Sequence, residues 1–184
     1  KLHTGEAEGP NIIPRPWVKE LIKERLPEAT IIETNTYYEG SRYTTEAHRE
    51  TLKINGWDFC PVDITDEFGV AALPVNGGKW FKEMHVGKNM LNYDSLLTLT
   101  HFKGHTMGGF GGSKKNIGLG CGDRRSGQGM IHAQDGNDRG VLEEGPMGEI
   151  PEAKKATNDI LGKNNNSVNV KRKISGSLDW KGDA

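Results

Sequence analysis

Apolar positions recur at helical spacing through residues 14–28, where Val18, Leu21, Ile22 and Leu26 share a face behind two opening prolines. The six residues that follow, ATIIET at 29–34, form a short β-branched run and predict a buried strand. A polar and aromatic loop, NTYYEGSRY, comes next. Thr44 or Thr45 then offers a cap to a helix that runs through EAHRETLKIN and stops at Gly56. FCPVDIT at 59–65 predicts a second strand. Strand, loop, helix and strand in that order predict parallel pairing, because parallel neighbours need a crossover between them.

Beyond this unit the pattern loosens. Residues 66–79 read as an excursion around Pro74 and a Gly77–Gly78 turn, and WFKEMHVG at 80–87 as a strand. Residues 93–100 carry the strongest strand signal, with SLLTLTHF apolar and β-rich behind a turn-like NYD. A short helix is expected from Ser113 to about Gly118 or Gly120, loop over 122–149, a helix over 151–163 and a last strand over 167–175. Together these predict an α/β fold: a partly parallel, mixed open sheet with helices on both faces, forming one unit over 1–184. KLHTGEAEGP reads as the end of a strand entering a loop, and SVNVKRKIS lies close to the other end, so the expectation is a fragment of a larger domain.

Composition narrows the function classes. Twenty-four basic residues against 25 acidic ones leave no cationic excess, which argues against nucleic acid as a partner. Apolar runs such as Leu96 to Leu99 are far too short to span a membrane. Two cysteines, Cys60 and Cys121, cannot build a disulfide framework, and a reducing cytoplasm is the expected location. Glycine is the outlier at 25 of 184 residues, about twice the ~7% of an average chain.

The polar chemistry follows the three clearest strands. Asn35, Tyr37, Arg42 and His48 follow the first, Asp63 and Asp66 belong to the second, and His101, Lys103 and His105 follow the third. In open parallel sheets sites lie outside the carboxyl ends of the strands, so one crevice can collect all three sets. The third set runs into KGHTMGGFGGSKKN. Its Gly104, Gly108, Gly109, Gly111 and Gly112 let backbone approach a ligand closely. A helix opening at Ser113 would turn free N–H groups toward an anion, and Lys114 and Lys115 add charge. The bland alternative is a solvated glycine loop, since neither GxxxxGK[ST] nor a well-placed GxGxxG is present. His101, His105 and His132 are candidate metal ligands or acid–base groups, and Cys121 a candidate soft-metal ligand. His85 and His48 read as structural, Cys60 as core, and His3 has no assignable role.

The residues TNTYYEGSRYTTEAH, VDITDE, YDSLLTLTHFKGHTMGGFGGSKKNIGLGC and the later MIH resemble the domain of unknown function 362 family of iron–sulfur centre proteins, over nearly the whole chain. Members are often joined to a ferredoxin module with two [4Fe–4S] clusters. The resemblance therefore implies a redox-associated α/β domain that binds an anionic small molecule, a metal ion or a cofactor between loops 35–43, 63–67 and 101–116. Any [4Fe–4S] cluster would come from a fused module or a ferredoxin-type partner, because four cysteine ligands cannot be drawn from two. A second resemblance, limited to the glycine loop, is to lactate racemases that tether a nickel-pincer nucleotide to lysine. It implies Lys115 as tether, His105 ten positions before it as acid–base group, and His132 as metal ligand. Ser113 departs from that pattern, standing where the racemases have a second glycine. The alternatives implied are thus a metal-dependent racemase or isomerase, or a non-catalytic binding module.

Overall fold

The computed structural model describes residues 1–9, 11–76, 82–105, 109–133 and 165–170, with backbone alone at 105, 109–110, 132–133 and 165–170. Prolines bracket the first helix. α1 spans Arg15–Arg25, with Pro14 as its cap. It stops short of Glu28 because Leu26 precedes Pro27, and the residue before a proline is pushed out of the helical region; Leu26 has φ −138°. α2, Thr45–Ile54, starts where Thr44 Oγ1 accepts from Ala47 N at 3.2 Å. It ends at Gly56, whose φ of +68° suits glycine.

Between these helices runs β1, Ile31–Glu33, which pairs in parallel with β2, Val62–Ile64. A second parallel pair joins β5, Leu96–His101, to β8, Asn165–Val170. On the other side of β5, Lys1 N donates to Leu97 O at 2.7 Å and Leu99 N to Lys1 O at 2.9 Å. These two bonds have the parallel pattern and set Lys1 beside β5. The fold is mixed α/β, and among the described residues the strands pair two by two.

Neighbouring residues of β1 face opposite ways and enter different cores. Ile32 packs with Leu96, Met84, Ile117 and Ile131; Ile31 packs with Val18, Leu52, Ile64 and Trp57. The first core is covered by α3, Ser113–Gly118, and α4, Gly127–Ala133, and the second by α1 and α2. Helices therefore cover both faces.

Three elements differ from the sequence expectation. The excursion over 66–79 contains β3, Val70–Pro74, paired antiparallel with β4, Glu83–Gly87. Only Leu73 of β3 is buried, so its sequence lacks the alternation of a half-buried strand. The glycine-rich stretch forms a hairpin of β6, Lys103–His105, and β7, Gly109–Gly111. α4 lies in the stretch expected to be loop. Its two glycines, each costing about 1 kcal/mol in a helix, hide a segment held by the buried Gln128 and Ile131. A 3-10 turn over Lys88–Asn92 buries Met90. The expected helix over 151–163, the Gly77–Gly78 turn and the strand residues 171–175 lie outside the described residues. Among the described residues no helix is long and apolar enough to cross a membrane.

Candidate functional site

β1 ends in a buried carboxylate. Glu33 is 2% exposed, and its Oε1 accepts from Thr4 N at 2.8 Å and Thr4 Oγ1 at 3.0 Å. The Lys1 ammonium pairs with its Oε2, and Arg42 Nη1 stands 3.7 Å from Oε1. Burial alone would push this carboxyl up. The surrounding cations, Lys1 foremost, override that and hold it well below the ordinary carboxylate range. Arg42, also buried, donates from Nε and Nη2 to Glu6 Oε1 at 2.9 and 2.7 Å, so one guanidinium serves two carboxylates. His3 Nδ1 lies 3.9 Å from Glu33 Oε1, an ion-pair distance rather than a hydrogen bond.

The loop that carries these groups is held from behind. Asn55 Nδ2, at the end of α2, donates to Thr4 O at 3.1 Å and Glu6 O at 2.8 Å. The fully buried Trp57 donates from Nε1 to Thr4 O at 2.8 Å. His3, Thr4 and Glu6 are fixed by this clamp.

Lys115 enters from the other side. Its helix, α3, is moored at the carboxyl end of β5 by Asn116, whose Nδ2 donates to Leu99 O at 3.1 Å and Thr100 Oγ1 at 2.9 Å. Past the end of β1, Thr34 Oγ1 donates to Gly120 O at 3.2 Å. A Cβ on Gly120 would come within 2.9 Å of Lys1 Cε, so this glycine leaves room for the lysine that reaches Glu33. The half-buried Lys115 amine is pulled down to about 8, first by burial and then by Lys103, Arg42 and Lys1. Among the described residues no carboxylate lies within ion-pair distance of it. α3 itself has only six residues, too few for its dipole to matter much beside these side chains.

The other sequence candidates fall into place around this cluster. Asn35 and Tyr37 act as scaffold: Asn35 N donates to Asp66 Oδ1 at 3.0 Å, and Tyr37 N to Gln128 Oε1 at 3.0 Å. Asp63 accepts from Asn89 and Tyr93. Gly112 caps α3, Ser113 is buried at its start, and Lys114 is exposed. Gly109 and Gly111 are strand residues of β7, and His101 ends β5, half-buried. His105 lies in β6 and His132 in α4, both without described side chains; Gly108 is outside the described residues. His48 is fully buried with Nδ1 3.2 Å from Asn35 Oδ1, and burial brings it down to about 4.

A sequence model of the family described as Domain of unknown function (DUF362) matches residues 1–178. The chain belongs to that family. No curated protein and no solved structure matches it.

The iron–sulfur chemistry associated with DUF362 by resemblance finds no ligand set among this chain's cysteines. Cys121 is 2% exposed in one apolar core, and burial pushes its thiol up. Cys60 packs against the other core. Among the described residues no three His, Cys, Asp or Glu side chains gather to hold a metal ion. A largely apolar cavity of about 550 Å³ lies between α1 and the amino-terminal halves of β1 and β5, with Lys1 at its lining. The residues to which sequence reasoning gave no role are Lys1, His3, Thr4, Glu6, Glu33 and Gln128. A signal existed for one of them: Glu33 is an acid inside the apolar run ATIIET.

Proposed function

We propose that this DUF362 chain binds an anionic small molecule or cofactor where the carboxyl ends of β1 and β5 meet α3. The observation that carries the reading is Lys115, a half-buried ammonium among Lys103, Arg42 and Lys1 with no carboxylate at ion-pair distance among the described residues. A bound phosphate or carboxylate supplies the missing counter-charge. Arg42 and Lys1 are already committed to Glu6 and Glu33, which leaves Lys115 as the cation best placed to respond to a ligand. Isothermal titration with inorganic sulfate, phosphate and simple dicarboxylates tests this. Binding that weakens at least tenfold in Lys115→Gln is expected, and equal binding by that variant removes the reading.

Redox association belongs to the same proposal at one remove. With two cysteines in separate cores, a [4Fe–4S] cluster would be held by a ferredoxin-type partner or a fused module, and the anion site would serve its chemistry. Iron and labile-sulfide analysis of the anaerobically purified gene product checks this.

A second reading rests on the same lysine. An amine with a proton affinity near 8 is more available as free base than a surface lysine, which favours covalent attachment of a cofactor. His132, His101 and Cys121 would then be the residues to test as metal ligands, and His105 as acid–base group. Nickel together with extra mass on Lys115 supports this reading; unmodified Lys115 without metal removes it.

A further inference from the structure

His3 combines solvent access with a buried carboxylate behind it. Its side chain is 43% exposed, whereas that of Glu33 is 2% exposed. Glu33 is fixed by Thr4 N, Thr4 Oγ1, Lys1 and Arg42, so it presents a rigid negative charge. The backbone on either side of His3 is held too, through Lys1 on β5 and Thr4 on Asn55 and Trp57. With Nδ1 toward Glu33 Oε1, Nε2 is the ring nitrogen left to meet a ligand.

We propose that His3 is a proton-transfer residue of this site, oriented by Glu33 and acting on an anion that carries an acidic hydroxyl, such as the monoanion of a phosphate monoester. The inference rests on the anion reading above. The ligand O–H gives its proton to Nε2, and the imidazolium that forms keeps its Nδ1–H toward Glu33, whose charge offsets it. The reverse transfer returns the proton. The charged groups facing His3 are Glu33, Arg42 and Lys1, with Glu6 beyond them. Burial, with Arg42 and Lys1 assisting, lowers the ring below the ordinary histidine value, while Glu33 works against that shift. The ring is thus neutral at neutral pH and ready to accept.

Sulfate is a suitable probe because it stays a dianion from pH 5 to 8. Its affinity for the wild-type chain, measured by titration calorimetry, should fall about tenfold over that range as His3 loses its proton. In His3→Gln the profile should be flat to within about twofold. Histidine ring NMR should show the His3 midpoint rising by about one unit with sulfate bound. Two results overturn the proposal. If binding needs Lys115 but His3→Gln keeps the wild-type pH profile, His3 is not coupled to the ligand and only the anion reading survives. If no Lys115-dependent binding occurs at any pH, both fall.

Discussion

Thr4 gives Glu33 two hydrogen bonds, one from its backbone N at 2.8 Å and one from its hydroxyl at 3.0 Å, both to the same carboxylate oxygen. That pairing joins the amino-terminal segment to the end of β1, and Lys1 and Arg42 complete the shell. Removing the carboxylate would leave two buried cations short of a partner. Glu33→Gln is therefore expected to lose about 3 kcal/mol of stability, the scale for breaking a buried ion pair. The carboxyl is depressed in the folded state, so its contribution is present above the ordinary carboxylate value and disappears as pH falls through the folded one. Urea titrations from pH 2 to 7 should show wild type losing its advantage over Glu33→Gln only well below pH 4.5.

Lys115 makes the opposite contribution. Its amine titrates near 8 in the fold against 10.5 for an ordinary lysine. The unfolded chain binds the extra proton between those values, so stability rises with pH across that window and the charged amine is unfavourable below it. Lys115→Met should stabilise the ligand-free chain at pH 7 by about 1 kcal/mol, after discounting for partial solvent screening. The same variant should gain nothing above pH 10.5. A stabilised but non-binding variant is the signature of a residue kept for a ligand.

Much of the fold was legible because periodicity and caps agreed. Thr44 and Gly56 each mark an end of α2 where local chemistry dictates it, whereas Pro27 ends α1 at Arg25, short of the Glu28 that periodicity alone suggested. The strand–helix–strand order announced β1 beside β2. What stayed hidden depends on contacts distant in sequence. Glu33 owes its role to Thr4, 29 positions away, and α4 is held by Gln128, which bonds Asn35 O across 93 positions. His3 stayed without a role because nothing near it in the sequence indicates that a buried carboxylate stands behind it. β3 escaped notice because four of its five residues are not buried, so its face carries little apolar signal.

His48 sets a different acid sensitivity. The ring is neutral and buried, titrating near 4 against 6.5 for a free histidine. Between those values the unfolded chain takes up a proton that the fold does not, so stability falls as pH drops from 6.5 to 4. Asn35 Nδ2 donates to Thr45 Oγ1 at 3.0 Å, which leaves its Oδ1 to accept from His48 Nδ1 at 3.2 Å. His48→Gln should flatten the stability profile between pH 4 and 6.5 while lowering its level at pH 7 by about 1–2 kcal/mol through lost packing and hydrogen bonding. Denaturant midpoints across that range read both effects.

Gln128 reaches the loop after β1 with both ends of its amide. Nε2 donates to Asn35 O at 2.7 Å, Thr34 Oγ1 at 3.2 Å and Gly122 O at 3.1 Å, and Oε1 accepts from Tyr37 N at 3.0 Å. Gln128→Ala removes all four contacts and leaves buried backbone groups unpaired, at a cost of about 2–3 kcal/mol. The effect should be local before it is global. Amide hydrogen exchange at Tyr37 should accelerate more than tenfold, whereas that at Trp57 N, bonded to Leu52 O at 2.9 Å in the other core, should change only by the global loss of stability. Equal acceleration at both amides would mean that Gln128 supports the whole fold rather than the loop. Because that loop carries Arg42, a local effect also predicts weaker sulfate binding in Gln128→Ala with Lys115 intact.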